Sequence, residues 1–194
     1  MKLFLAIPVD AITQQKIASK LNGLKHQAWT HNINWIPTKN YHITLTFIGN
    51  DVSEETANKI HTSMMEWFSE GMSTFDIQIQ SIRVFPSKLD PRFIVASLDS
   101  NIMMQCLVRE VEEQLKPLGF RTNKQAYRPH ITLGKLVQNT GNTSSLTSLY
   151  QEVEALRFDE LFLKVTSIAL FESQIANQKT TYHPLKTMLL DCYD

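Results

Sequence analysis

His42-Ile43-Thr44-Leu45 and His130-Ile131-Thr132-Leu133 are the same tetrapeptide, once in each half of a 194-residue chain. Each sets an imidazole two residues before a hydroxyl. Each follows turn-forming residues and lies in a short apolar run, so each reads as a strand. Side chains alternate faces along a strand. His42, Thr44 and Thr46 therefore point one way, and Ile43, Leu45 and Phe47 the other. In the second copy His130 and Thr132 oppose Ile131 and Leu133, and strict alternation puts Lys135 on that apolar face too. Each strand has one face for a core and one for chemistry. Two such faces turned toward each other make a symmetric site with two histidines.

That pair suits hydrolysis of a cyclic or diester phosphate. The reaction needs a proton taken from water and a proton given to the leaving oxygen. Histidine, with an unperturbed pKa of ~6.5, plays either part near neutrality. Each such transfer is typically worth ~10²–10⁴-fold in rate. Thr44 and Thr132 can donate hydroxyl hydrogen bonds to the non-bridging oxygens of a pentacoordinate transition state. Arg128 and Lys135 are candidate further donors. Other chemistries fit less well. A zinc site takes three or four protein ligands; two histidines supply two, and no Asp or Glu stands near either motif. There is no Gly-x-Ser-x-Gly elbow and no glycine-rich phosphate loop. His26, His31, His61 and His183 lack the following threonine, and the first three read as surface residues.

Charge placement agrees with an anion site. Nineteen basic and nineteen acidic residues cancel, which argues against a wrapper of long nucleic acid. Yet no acidic residue occurs between Asp10 and Asp51, where Lys16, Lys20, Lys25 and Lys39 stand. None occurs between Glu113 and Glu152, alongside Lys116, Arg121, Lys124, Arg128 and Lys135. Each motif sits inside one of these windows, as a pocket for a small anion would require. With 43% hydrophobic and 20% charged residues the chain can build an ordinary globular core. No apolar run approaches the ~20 residues of a membrane span, and the apolar N-terminus is too short for a signal peptide. Cys106 and Cys192 make a disulfide framework improbable. A cytoplasmic monomer is expected.

The elements that carry the motifs follow from the same pattern. Residues 2–8 read as a buried strand. Asp10 caps a helix to about Leu24, with Ile12, Ile17, Leu21 and Leu24 at helical spacing. Residues 29–38 form a turn-rich approach to the first motif strand, which Gly49-Asn50-Asp51 closes. Ser53 opens a helix to about Ser69. Residues 75–79 alternate as a strand, Val84-Phe85-Pro86-Ser87 and Asp90-Pro91 flank a loop, and residues 93–96 form a strand. A helix spans about 101–115, stopped by Pro117 and Gly119. After the second motif strand come a loop from Asn139 to Ser145, a helix over 146–156, strands at 161–165 and 168–171, and a last strand over 180–190 that Pro184 weakens or confines to an edge. Helices covering sheets make this α+β or mixed α/β.

Two His-x-Thr-x motifs in two halves resemble the signature of the 2H phosphoesterases. The flanks are similar to those of the RNA 2',3'-cyclic phosphodiesterases, or 2'-5' RNA ligase-like proteins. Leu3-Phe4-Leu5-Ala6-Ile7-Pro8 resembles that family's opening strand. Trp35-Ile36-Pro37 with Asn40 through Gly49 resembles its first motif block, and Arg128 through Leu133 its second. Leu170-Phe171-Glu172-Ser173 and Thr181-Tyr182-His183-Pro184-Leu185 resemble its C-terminal strands. The resemblance implies an α+β, bilobal 2H phosphoesterase fold: two antiparallel-rich sheets with outer helices around a central cleft, one domain over residues 1–194 with two pseudo-symmetric lobes. It implies no metal and no cofactor. It implies hydrolysis of an RNA or oligonucleotide 2',3'-cyclic phosphate end to a 2'-phosphate, with reversible 2'-5' ligation as a side reaction. It makes His42 the proton donor and His130 the proton acceptor. Many members carry arginine where this chain has Lys135. Phe4 is left with two readings, a wall against the substrate's base or plain core packing. A module that binds RNA ends without turnover is the alternative of a different class.

Overall fold

The two motif strands lie side by side in the middle of the sheet. In the computed structural model, the described residues are 1–25, 32–64, 66–67, 71–120, 126–137, 143–176 and 179–191. His26, His31, Arg121, Lys124 and Cys192 lie outside them. In chain order the strands are β1 (Lys2–Pro8), β2 (Ile33–Trp35), β3 (His42–Gly49), β4 (Phe75–Pro86), β5 (Pro91–Leu98), β6 (His130–Leu136), β7 (Arg157–Val165), β8 (Ser167–Ala176) and β9 (Lys179–Leu189). The helices are α1 (Ala11–Asn22), α2 (Glu54–Ser63), α3 (Ile102–Leu115) and α4 (Thr143–Ala155). The sheet runs β7-β4-β5-β6-β3-β1-β8-β9, with β2 added beside β6. Neighbouring strands pair antiparallel. The fold is α+β.

The two sheets expected from the resemblance meet edge to edge as β7-β4-β5-β6 and β3-β1-β8-β9. Their junction is a single paired position, Ile43 opposite Ile131. The strands diverge there for a visible reason. Beyond Leu133 the same edge of β6 pairs with β2, whose Ile33, Asn34 and Trp35 face Leu136, Lys135 and Gly134, and the Ile36 N–H donates to the Leu133 carbonyl at 2.8 Å. Only a residue without a side chain permits that approach. A Cβ on Gly134 would lie 2.6 Å from Ile33 Cγ2. Residues 33–35 are thus a strand inside the segment expected to be turn-rich, and their strand character comes from β6 rather than from their own composition.

Helices cover the apolar side. Asp10, Ser53 and Asn101 side chains accept from the third backbone N–H of α1, α2 and α3, satisfying donors that the helix itself leaves open. Ile17 and Leu21 of α1 and Met104, Leu107, Val111 and Leu115 of α3 are buried with Ile43, Leu45, Ile131 and Leu133. The α2 helix ends at Ser63, short of the expected Ser69. The β4 strand runs through Val84-Phe85-Pro86, which composition alone had placed beside a loop, because β5 pairs with it along its whole second half. The β9 strand, with Pro184, is an edge, where a missing N–H costs least. No helix among the described residues is long and apolar enough to cross a membrane.

Candidate active site

Antiparallel pairing at Ile43–Ile131 dictates what faces what. One step either way sets His42 across from Thr132, and Thr44 across from His130. In register, each histidine position is therefore opposite the threonine position of the other copy. The histidines are diagonal neighbours, ~7–8 Å apart at the backbone in a regular ladder and further where the strands splay. Burial is the main cause lowering the pKa of His42, and charge on His130 lowers it further, as expected of rings that sense one another across a gap.

The strict alternation read from sequence fails after the fourth motif residue, in both strands and in the same way. On β3, Thr44 and Thr46 pair with adjacent residues Ala6 and Leu5, so Leu45 is extra. On β6, Thr132 and Gly134 pair with Val95 and Ile94, so Leu133 is extra. Each leucine is a bulge, buried in the core. Alternation resumes one residue late, which returns Phe47 and Lys135 to the histidine face. Phe47 is 49% exposed, not turned into the core, and Lys135 joins it, Phe4, His42 and Thr44 around a cavity of about 190 Å³. The apolar-face assignments of Phe47 and Lys135 are corrected accordingly.

Each imidazole is fixed by its own backbone. His42 Nδ1 lies 2.8 Å from the Asn40 carbonyl, and His130 Nδ1 lies 2.8 Å from the Arg128 carbonyl. A carbonyl only accepts, so both Nδ1 atoms carry hydrogen and both Nε2 atoms are left to face substrate. The half-buried His42 ring sits among aromatics: Phe4 at 5.0 Å, Tyr182 edge-on at 4.9 Å and Phe171 at 6.2 Å between centroids. Desolvation by these rings is the main cause holding its pKa below the usual value, partly opposed by the Asn40 carbonyl. The His130 ring stacks on Phe85 at 4.4 Å. Its pKa is also lowered, first by burial, then by the Arg128 cation, against the raising effect of the Arg128 carbonyl. Both rings therefore favour the neutral form more than a free imidazole does.

Space continues from one histidine to the other along Thr44. That residue lines the cavity with His42 and a larger one, about 520 Å³, with Thr46, Phe47, Phe85, Arg128 and His130. The Tyr127 hydroxyl donates to the Thr44 carbonyl at 2.9 Å and holds this segment of β3 in position. Arg128 is exposed, with its guanidinium 4.6 Å from the Phe85 ring centre. Thr132 is half-buried and lines neither cavity. Phe4 is 5% exposed and packed on Phe171 and Tyr182, as core packing of the strand requires, and its ring lies 5.0 Å from that of His42. Sequence reasoning missed Phe85 and Tyr182 as neighbours of the histidines, because only the sheet order brings β4 and β9 to the site; their aromaticity was the one available signal. His61 is half-buried rather than on the surface, and His183 is exposed. Among the described residues no group of three or more His, Cys, Asp or Glu side chains forms a metal-ligand set.

A family model described as LigT like phosphoesterase matches residues 7–95 and 104–182, a span that includes both motifs. The chain belongs to the LigT-like phosphoesterase family. Two curated relatives are each called RNA 2',3'-cyclic phosphodiesterase. The one from Archaeoglobus fulgidus is 27% identical over 77% of this chain and 81% of its own length; the one from Aeropyrum pernix is 30% identical over 77% and 82%. Among solved structures, E. coli LigT complexed with 3'-AMP superposes with a TM-score of 0.73 over 97% of both chains at 20% identity. TT0787 of Thermus thermophilus superposes with a TM-score of 0.77 over the whole of both chains at 18% identity. These two show the fold.

Proposed function

We propose that this member of the family hydrolyses 2',3'-cyclic phosphate ends of RNA or oligonucleotides to 2'-phosphates, without a metal ion, through His42 and His130. The observation that carries the reading is the mutual placement of two tautomer-locked imidazoles, each across from the other motif's threonine. With the phosphorus between them, neutral His130 Nε2 takes a proton from water. The water oxygen bonds to phosphorus in line with the departing O3', and the P–O3' bond breaks. His42, protonated at Nε2, gives its proton to O3', so one water is added across the ester. Thr44 and Thr132 donate to the non-bridging oxygens, with Lys135 beside them as a point charge.

The division of labour has a physical basis. Burial first, and then the Arg128 cation, lowers the pKa of His130 and so favours the neutral ring that a base must have. Burial is the largest cause that lowers His42, and among the described residues the charge that adds to it is that of His130, so a bound phosphate anion restores a proton to His42 first. Phe47, exposed and lining both cavities, offers its ring to the terminal base. The halves of the sheet on either side of the junction serve as the two lobes of one domain. The same transition state approached with a 5'-hydroxyl in place of water gives 2'-5' ligation, which dilute aqueous conditions disfavour.

The test is an oligonucleotide with a 2',3'-cyclic end, incubated with EDTA. A 2'-phosphate product is expected. A 3'-phosphate product, or loss of activity on chelation, contradicts the reading; survival of the cyclic end while a 2'-phosphorylated nucleotide binds would favour a binding module.

A further inference from the structure

His130 also lines a cavity of about 320 Å³ bounded by Arg83, Phe85, Ser97, Tyr127 and Arg128. We propose that this cavity is a second phosphate subsite, which takes a backbone phosphodiester of an RNA strand while the cyclic phosphate lies between the motif histidines. The inference rests on the function proposed above and extends it: the site reads at least two nucleotides.

The walls carry the argument. None of the residues around this cavity is acidic, and two are arginines. Neither arginine belongs to any of the four ion pairs among the described residues. Both are nonetheless held. Arg83 Nε donates to the Ser81 hydroxyl at 3.0 Å. That hydroxyl is 3.0 Å from the Ser97 hydroxyl, which also reaches the Ser81 carbonyl at 3.0 Å. With Nε so used, the two terminal nitrogens of Arg83 remain to fork onto an anion. Arg128 lies over Phe85 and donates to the Pro86 carbonyl at 3.4 Å. Guanidiniums ordered by neutral partners lose little freedom on binding and keep their full charge for a ligand. A bulge builds the wall: Ile79 pairs with Leu98 and Ser81 with Ser97, so Gln80 is extra. The size lies at the low end of ligand pockets, ~300–1,000 Å³, enough for a phosphodiester with part of its sugar. The cavity meets the reaction centre at His130, where an adjoining strand would pass.

The phosphodiester can belong to the cleaved strand's own preceding nucleotide or to a second, 5'-hydroxyl strand entering on the His130 side. The experiment compares wild type, Arg83→Gln and Arg83→Lys. The substrates are a nucleoside 2',3'-cyclic monophosphate and a dinucleotide ending in the same cyclic nucleoside. Wild type is expected to favour the dinucleotide in kcat/KM by about 10-fold or more, the scale of one charge-assisted contact. Arg83→Gln should abolish that preference and leave the mononucleotide rate within about 2-fold; Arg83→Lys should restore part of it. A non-cyclic 5'-hydroxyl dinucleotide added to the mononucleotide reaction supplies the other arm. Competition or joining that weakens in Arg83→Gln assigns the subsite to the second strand and also supports it. Equal dinucleotide and mononucleotide losses in Arg83→Gln, or no response in either arm, overturn the proposal. Binding of mono- and dinucleotide 2'-phosphates is measured in parallel. A subsite without turnover still shows a dinucleotide advantage that Arg83→Gln removes, which separates failure of the subsite from failure of the hydrolase reading. Arg83 is exposed, so both variants should melt as wild type does.

Discussion

Replacing His42 by alanine tests the acid role with a substrate that does not need an acid. The ring lies near Phe4, Tyr182 and Phe171. At ~0.5–1.5 kcal/mol for each of these three aromatic contacts, its loss costs about 3 kcal/mol of stability, less than the ~5–15 kcal/mol of a folded domain. The variant should stay folded, with a lowered melting temperature. Its rate on an ordinary cyclic phosphate should fall by about 10³-fold, the middle of the range for one proton transfer, or about 4 kcal/mol. In the 3'-thio analogue of the cyclic phosphate the leaving atom is sulfur, and a thiolate with a conjugate pKa near ~8.5 departs unprotonated. His42→Ala should therefore lose under about 10-fold on the thio substrate, while His130→Ala loses about 10³-fold on both. Measured as kcat/KM, the ratio of ratios isolates the proton on the leaving group. Equal falls on both substrates in His42→Ala would refute the acid assignment; selective rescue of His130→Ala instead would reverse the two roles.

Three further outcomes are expected. Burial lowers the pKa of both histidines in the free protein; kcat/KM requires protonated His42 and neutral His130, so its optimum should lie below pH 6.5, and the alkaline limb of kcat should sit higher because a bound phosphate holds the proton on His42. Coincident alkaline limbs would contradict this, the values being those of the pair. Lys135→Ala should raise KM for the cyclic substrate about 10-fold, whereas Lys135→Arg keeps or improves it by forking onto the phosphate; steady-state kinetics decide, and an unchanged KM in Lys135→Ala would remove it from the site. Gly134→Ala forces a Cβ to within 2.6 Å of Ile33 and should cost about 1–3 kcal/mol of stability, read by denaturant unfolding; a wild-type midpoint would mean that β2 does not press on β6.

The parts of the site that were legible in sequence are those set within a few residues. His-x-Thr alternation, the greasy reverse face, and the caps Asp10, Ser53 and Asn101 all follow from local rules. What was not legible is set by partners far away in the chain. The bulges at Leu45 and Leu133 exist because β1 and β5 pair on either side of them, and no property of a leucine announces that. Phe47 and Lys135 were therefore assigned to the wrong face by a rule that holds only for an uninterrupted ladder. Arg83 and Phe85 lie far in sequence from His130, and three adjacent strands, β4-β5-β6, are needed to bring them to it. The strand at Ile33–Trp35 is likewise a consequence of a glycine a hundred residues later.

The repeated tetrapeptide is symmetric, but a hydrolysis needs unlike partners, so the asymmetry has to come from outside it. It comes from the residues two positions before each histidine and from the neighbouring strands. Asn40 precedes His42 and Arg128 precedes His130; both offer a carbonyl to Nδ1 at the same 2.8 Å, but only Arg128 adds a positive charge that works against protonation. Burial is the largest opposing influence at both rings; at His42 it comes from hydrocarbon, Phe4 on β1, Phe171 on β8 and Tyr182 on β9, and at His130 the Arg128 cation adds to it. Desolvation by hydrocarbon penalises an isolated imidazolium yet strengthens its attraction to an anion placed beside it. A fixed cation does not reverse in that way. Substrate binding should therefore separate two histidines that are nearly alike in the empty site, and the exchange Arg128→Asn should narrow that separation. The prediction is that Arg128→Asn moves the acid limb of kcat/KM to higher pH, because His130 then holds its proton longer. An unmoved acid limb in that variant would mean that Arg128 does not set the protonation state of His130, and the source of the asymmetry would have to lie elsewhere.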